Sequence, residues 1–487
     1  MNYYLDGHDF KYAAEEMLFS VLSTEPWEKL EEYPTDLSNA LVSSLQEQDG
    51  KIIIQAQTEK DGNMLSSQRE ILLDGFDEIA RKRAISQAVK ITIYEATVQR
   101  RQSPPAWGAL TGVRPAKLAR MLLEQGHTRE QVPDILRQEY RVSPERIDLA
   151  MPCMDAALAV QKVLTPRSIS LYIGIPFCPS RCSYCSFVSN SIEKAEKWIE
   201  PYLEVLLQEI TETAKALRDA DLKIFSIYIG GGTPTTLTAQ QLIKLLTHVR
   251  EQLDLSELRE FTVEAGRPDT IIEEKLKALK AGGVDRISIN PQSLNPAVLA
   301  GIGRRHSVEQ FYESCALAQK QGFSSINMDL IAGLDGDTAD SFRHSVAELI
   351  RLSPENITIH TLAAKKGADR ADRVANAAKQ SLVAEMLDFA NVALRQAGYQ
   401  PYYLYRQKFM VGGFENVGWC KPGTECLYNI CMMEEIQDIV SLGAGGVTKF
   451  CRSGNHQIQR IANPKYPYEY VAQKERVWEA KRQMGKA

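Results

Sequence analysis

The chain has 487 residues, 44% hydrophobic and 24% charged, an ordinary balance for a folded globular protein with room for two or three domains. A formal net charge of −5 offers no basic excess to argue for nucleic acid or an anionic membrane surface. Nine cysteines are too few, and odd in number, for a disulfide framework, no stretch approaches the roughly 18 apolar residues needed to span a bilayer, and the opening MNYYLDGHDFKYAAEEM has no signal-peptide pattern, so a reducing cytoplasm is the expected compartment.

Residues 1–105 read as a small α+β domain. Lys51–Gln57 is strand-like, Asp61-Gly62-Asn63 is a turn, Arg69–Leu73 is a second strand, and Asp77–Thr97 has helical periodicity. Pro104-Pro105 breaks the pattern, and residues 106–165 form a helical linker region with three helical pieces between 113 and 164. Pro115 suits a first helical turn, and Thr128 with Gln131 fits a capping box.

From residue 166 to 365 strands and helices alternate. Strand-like runs at Ile169–Ile175, Ile224–Ile229, Glu260–Glu264, Asp285–Asn290, Ser325–Ile331 and Asn356–Thr361 are separated by helical stretches near 191–218, 238–253, 271–281, 307–321 and 337–351. Six such units predict an α/β fold, a partial (β/α)6 TIM-like barrel with right-handed crossovers and its site at the C-terminal strand ends. The remainder, 366–487, opens with an amphipathic helix over 376–397. It then becomes aromatic and less regular, with a Gly-rich turn at Gly443–Gly446 and a helical tail.

The chemistry-bearing residues gather at those strand ends. Directly after the first strand comes IPFCPSRCSYCSF, which places Cys178, Cys182 and Cys185 at C-x3-C-x2-C spacing. Three thiolates on one loop can hold three irons of a cubane cluster and leave the fourth open, whereas structural clusters take four cysteines. A zinc loop or a triplet of buried thiols are the alternatives. Gly230-Gly231-Gly232-Thr233-Pro234-Thr235 follows the second strand, where glycines permit close approach of a ligand and unpaired amides can bind a carboxylate. Glu264 ends the third strand, Gln292 and Arg304 follow the fourth, and Asp329 ends the fifth. For each of these taken singly, a loop-closing hydrogen bond or salt bridge weighs equally. His306 and His360 lie near strand ends, where a structural role outweighs proton transfer. Cys420, Cys426, Cys431 and Cys451 fit no standard ligand spacing and read as buried thiols.

The ordered set IPFCPSRCSYCSF, GGGTPT, VEAGRPD, RISINPQ, GRRH and NMDLIAGL resembles the radical S-adenosylmethionine (SAM) family of oxygen-independent coproporphyrinogen III oxidases over about residues 165–450. It looks most like the family's coproporphyrinogen dehydrogenase branch, which carries an extra N-terminal region and a segment like Tyr403–Gly418. The resemblance implies a 4Fe–4S cluster on Cys178, Cys182 and Cys185. It implies SAM contacts from Tyr172, Tyr184, Gly231, Gly232, Thr233, Glu264 and Arg304, with Tyr172, Glu264 and Arg304 also catalytic. Gln292, Asp329 and Ala363 match positions lining a second SAM site.

It further implies a tetrapyrrole substrate. Coproporphyrinogen III would be oxidatively decarboxylated to protoporphyrinogen IX in haem biosynthesis, with electrons from a donor such as flavodoxin or ferredoxin. Arg304, Arg305 and Lys365-Lys366 are candidate partners of the substrate propionates. One departure matters: the oxidases carry a fourth cysteine two residues after the third, and this chain has Phe187 there. Phenylalanine at that position resembles the related haem chaperones, but their His-Asn-x-x-Tyr-Trp motif finds only Phe414-Glu415-Asn416-Val417-Gly418-Trp419 here. A haem-binding or haem-trafficking protein, another haem-modifying radical enzyme and a non-catalytic metal-binding module are the competing readings.

Overall fold

A computed structural model describes residues 1–22, 27–72, 75–101, 104–185, 189–363, 379–407, 410–451 and 458–484. They divide into two compact units, one of Met1–Met151, Gly367–Ser381 and Arg406–Glu415, the other of Pro152–Lys366, Leu382–Tyr405 and Asn416–Ala487.

The first unit is built on a four-stranded sheet. Asn2–Asp6 runs parallel to Ala40–Gln48, and Lys51–Lys60 and Asn63–Leu72 follow antiparallel. Along Lys51–Lys60 the burial alternates residue by residue, because Ile52, Ile54 and Ala56 point to one face and the intervening residues to the other. The helices Lys11–Val21 and Glu78–Thr97 supply core residues such as Met17, Leu18, Val89 and Ile93 to the same hydrophobic cluster. Asp77 caps the second of these, accepting from the Ala80 amide at 2.7 Å. The expected turn is present, with Asp61 and Gly62 both at positive φ. Asn2–Asp6, Lys11–Val21 and Ala40–Gln48 had no sequence expectation. Helices then run over Pro115–Glu124, Gln131–Gln138 and Pro144–Val163, with Pro115 in the first turn and the Gln131 side chain accepting from the Thr128 amide at 2.8 Å.

The second unit carries an eleven-stranded sheet. Its centre is six parallel strands paired in chain order: Ser168–Ile175, Lys223–Gly231, Glu260–Glu264, Arg286–Ser288, Ser325–Ala332 and Asn356–Thr361. Among the described residues the six are not closed on one another. The first also pairs, in parallel, with Asp438–Leu442, and the sixth, antiparallel, with Asn416–Cys420. Gln400–Tyr405, Val447–Phe450 and Gln459–Ala462 extend the two ends. The expected partial barrel of six β/α units is therefore the observed architecture, but the aromatic C-terminal stretch is strand where it looked irregular. Asn416–Cys420 is buried at every position, so it shows no polar alternation to read.

Crossover helices at Ile199–Asp219, Ala239–Gln252, Glu273–Ala281, Val308–Gln321 and Ala339–Leu352 match the expected set. Two begin at reciprocal capping boxes, Thr238 with Gln241 and Ser307 with Gln310. The Gly443–Gly446 turn is held by buried Glu209, which accepts from the Gly443 amide at 2.8 Å, Asn463 at 2.8 Å and the Tyr470 hydroxyl at 2.5 Å.

Candidate active site

The sequence-predicted residues gather at and near the C-terminal ends of the six parallel strands, in two adjoining groups. Asp329, expected to end the fifth strand, lies three residues before its end, because Leu330–Ala332 continue the pairing with Ile359–Thr361, and Tyr172 lies likewise within the first strand. The first is the cysteine loop. Cys178 closes a two-residue strand, Phe177–Cys178, paired with Asn190–Ser191. The Gly-rich turn lies directly against it. The Gly232 amide donates to Ile175 O at 2.8 Å and the Thr233 amide to Phe177 O at 2.7 Å. The Thr233 hydroxyl donates to Cys178 Sγ at 3.5 Å. These amides are therefore already paired, which corrects the expectation that they are open to a carboxylate. The turn instead offers a surface without side chains: a Cβ on Gly232 would stand 2.5 Å from Phe177 O and 3.0 Å from Cys178 Sγ.

Cys182 is held from the other side by Arg267, a buried residue that sequence reading passed over. Its Nη1 donates to Ser180 O at 3.3 Å, to Ser180 Oγ at 3.1 Å and to Cys182 Sγ at 3.7 Å. Its other donors form a two-bond pair with Asp269 at 3.0 and 2.8 Å. The signal was available, since Arg267 follows Glu264 in the same strand-end segment VEAGRPD. Cys185, half-buried, donates its amide to Cys182 O at 3.2 Å. Burial pushes the Cys178 thiol up, against hydrogen bonds from Thr233 and Ser189 and the charge of Arg267.

Arg304 is buried beneath this loop. It donates to Gly266 O at 3.3 Å, Asn290 O at 3.0 Å and the Tyr184 hydroxyl at 2.9 Å. Three of the predicted residues' neighbourhoods thus meet at one guanidinium. Beside it His306 is 3% exposed with neither ring nitrogen hydrogen-bonded. Burial, then the charge of Arg304, lowers its pKa to about 4, so the imidazole is neutral at physiological pH.

The second group surrounds Glu264. The Tyr228 hydroxyl donates to Glu264 Oε1 at 2.7 Å, and Tyr172, Tyr228 and Tyr428 stack with ring centroids 4.6–6.3 Å apart. Burial, reinforced by the charge of Asp329 and opposed by Tyr228, raises the Glu264 pKa to about 7. Asp329 accepts from Asn327 at 2.7 Å and lies 3.5 Å from His360 Nε2. Gln292 sits in the left-handed region at φ 69°, and its amide donates to Asp329 O at 2.9 Å. Ala363 lies two residues past the sixth strand, half-buried.

Other expectations fall elsewhere. Arg305 is exposed and paired with Glu193 at 2.9 Å. Phe187, Lys365 and Lys366 lie outside the described residues. Cys420, Cys426 and Cys431 are buried in a hydrophobic cluster, whereas Cys451, also read as a buried thiol, is half-buried at the end of the Val447–Phe450 strand, its amide donating to Asp438 Oδ1 at 2.7 Å. Among the described residues no three His, Cys, Asp or Glu side chains converge on a common ion position, Cys178, Cys182 and Cys185 included; the thiolates of a cubane cluster bind separate irons and do not share one.

A soft-ligand set on one loop and a side-chain-free cradle beside it suit an iron–sulfur cluster with a small ligand on its open iron. Three buried polar atoms without partners, Gln292 Oε1, Asn290 Oδ1 and Arg304 Nε, add unmet capacity for a ligand around the same strand ends.

Residues 172–349 match the model of the radical SAM superfamily. The chain is 42% identical over 369 residues to the oxygen-independent coproporphyrinogen-III oxidase-like protein HemZ of Bacillus subtilis, covering 75% of this chain and 74% of that protein. It is 35% identical over 280 residues to the haem chaperone HemW of Lactococcus lactis, covering 57% and 68%. Among solved structures, the coproporphyrinogen III oxidase HemN of Escherichia coli, a radical SAM enzyme, superposes with a TM-score of 0.51 at 24% identity, over 66% of this chain and 72% of that one. Among the described residues no helix is long and apolar enough to cross a membrane.

Proposed function

The chain belongs to the radical SAM superfamily, among the oxygen-independent coproporphyrinogen-III oxidase-like proteins, and on that premise we propose that it carries out the oxidative decarboxylation of coproporphyrinogen III to protoporphyrinogen IX. Its cofactors are those of the family, a 4Fe–4S cluster and SAM. When bound, they supply a one-electron reductive cleavage that enables hydrogen abstraction from the substrate. The observation that carries the reading is the cysteine loop itself, set at the C-terminal end of the first strand and tied to the Gly-rich turn and to Arg267.

In this reading Cys178, Cys182 and Cys185 would hold the three irons. Gly231, Gly232 and Thr233 would receive the SAM amino-acid end, with Glu264 taking its amino group. Arg267 keeps the loop in register through Ser180 and brings a positive charge to Cys182. Arg304 positions Tyr184 and the Asn290 carbonyl rather than reaching outward, since its Nη donors already have acceptors. Glu264, with its pKa near 7, holds a proton at its carboxyl for part of the time at neutral pH, and Tyr228 fixes its orientation. Asp329 and His360, 3.5 Å apart, are placed to bind a cation or pass a proton beside it. The stacked tyrosines Tyr172, Tyr228 and Tyr428 stand beside that carboxyl, and their burial shields it in part from water.

A second reading, haem binding or trafficking on the same scaffold, is favoured by the similarity to HemW and by Phe187. Anaerobic reconstitution followed by product analysis, with coproporphyrinogen III and haem offered side by side, separates the two. Substrate-dependent CO2 and 5′-deoxyadenosine support the oxidase; a Soret shift with haem and no CO2 supports the chaperone. Cys182→Ala is expected to abolish SAM cleavage under dithionite, and undiminished 5′-deoxyadenosine release would sink the cluster assignment.

A further inference from the structure

A cavity of about 780 Å³ opens on the outer side of the cysteine loop. Its wall includes Ser180 and Arg181, which lie between Cys178 and Cys182, and Ser189, whose hydroxyl hydrogen-bonds Cys178. Ser180 in turn accepts from the same Arg267 Nη1 that reaches Cys182 Sγ. The cavity wall is thus one side chain away from two of the three cysteines. Of the strand-end residues assigned to SAM, Arg304 alone lines it, and Tyr172, Glu264, Gln292 and Asp329 do not.

The charge of this wall runs against that of the chain. Among the described residues, Arg181, Lys194, Arg304 and Arg305 line it against one carboxylate, Glu193, on a protein whose net charge is −5. Glu193 pairs with Arg305, and Arg304 is buried, so the exposed Arg181 and Lys194 carry the local surplus. Trp198 and Tyr468, ring centroids 6.5 Å apart, stand at the same cavity, the residue types that anchor protein interfaces.

A cluster that must be reduced from outside needs a donor within a short distance of its thiolates, and a basic concavity on an acidic protein selects an acidic partner and speeds its encounter. Resting on the cluster reading above, we infer that this cavity is the docking site of a small acidic one-electron carrier protein, whose cofactor edge enters between Arg181, Lys194 and the Trp198–Tyr468 pair. One electron leaves the carrier and enters the cluster; no bond to the protein forms or breaks.

The test is a double charge reversal, Arg181→Glu with Lys194→Glu, in the reconstituted full chain, with a reduced flavodoxin as the probe. Cluster bleaching is followed by stopped flow, and flavodoxin binding to the chain is measured separately by calorimetry at low and high salt. Reduction by flavodoxin is expected to slow at least tenfold at low salt, with binding weakened alike and the difference shrinking as salt screens the charges. Bleaching by photoreduced 5-deazaflavin, a small uncharged reductant, should be unchanged, as should iron content. An unchanged flavodoxin rate with normal deazaflavin bleaching overturns the docking site alone. Failure of the wild type to take up iron or bleach with deazaflavin would instead remove the cluster reading. Saturable quenching of tryptophan fluorescence by coproporphyrin III, lost in the variant while flavodoxin-driven reduction is kept, would assign the cavity to a tetrapyrrole and overturn the proposal.

Discussion

Glu264 should make the unloaded protein less stable than it could be, and replacing it should reveal by how much. Its carboxyl titrates near 7 in the folded chain against 4.5 when unfolded. Between those values the folded state holds a proton that the unfolded state has released, so stability falls as pH rises from 4.5 through 7. A shift of two and a half units is worth about 3 kcal/mol above pH 7, and partial exposure of the side chain reduces this to about 2 kcal/mol. Glu264→Gln removes the ionisation but keeps an oxygen for the Tyr228 hydroxyl. At pH 8 the apoprotein variant should therefore melt higher, by about 4 °C for a unit of this size. The gain should shrink toward zero as the pH falls to 4.5. Differential scanning calorimetry of wild type and variant across this range reads the effect. A gain of equal size at both ends, or a loss at pH 8, would refute a desolvated carboxyl as the cause. SAM cleavage in the loaded variant should fall tenfold or more, since the charge that destabilises the empty site is the one proposed to hold the SAM amino group.

His306 contributes in the opposite sense. Its pKa is lowered to about 4, so the unfolded state takes up a proton first as pH falls below 6.5; its stability contribution is intact above that value and declines by about 3 kcal/mol toward pH 4. His306→Gln should flatten the acid limb of urea midpoints between pH 7 and 4.5, and an unchanged limb would exclude His306 as its source. Gly232→Ala should leave the circular dichroism spectrum intact but lower bound iron after reconstitution several-fold, because the added methyl meets Phe177 O and Cys178 Sγ. Wild-type iron content in that variant would show that the loop has room the geometry denies it.

Much of the second unit was legible because its signals are local. Six apolar runs at crossover spacing yield a parallel sheet through chirality and short connections alone. The cysteine spacing, the glycine run and the strand-end position of Glu264 are all written within a few residues of chain, whereas Asp329 lies within its strand, three residues further from the end than its sequence suggested. What stayed hidden depends on partners distant in sequence. Gln400–Tyr405, Asn416–Cys420 and Asp438–Leu442 are strands because the open edges of the sheet need hydrogen-bonding neighbours, and full burial erased the alternation that would have marked them.

The same division runs through the site. The sequence by itself determined the ligand set: which side chains could bind iron, and which loop carries them. Only the tertiary structure decided what those side chains do to one another. It paired the Gly232 and Thr233 amides with the loop carbonyls, turned Arg304 toward Tyr184 and Asn290, and brought Arg267 to Cys182 across 85 residues. It also moved the Glu264 pKa to about 7, because desolvation and the field of Asp329 depend on how strands pack, a property no single segment possesses.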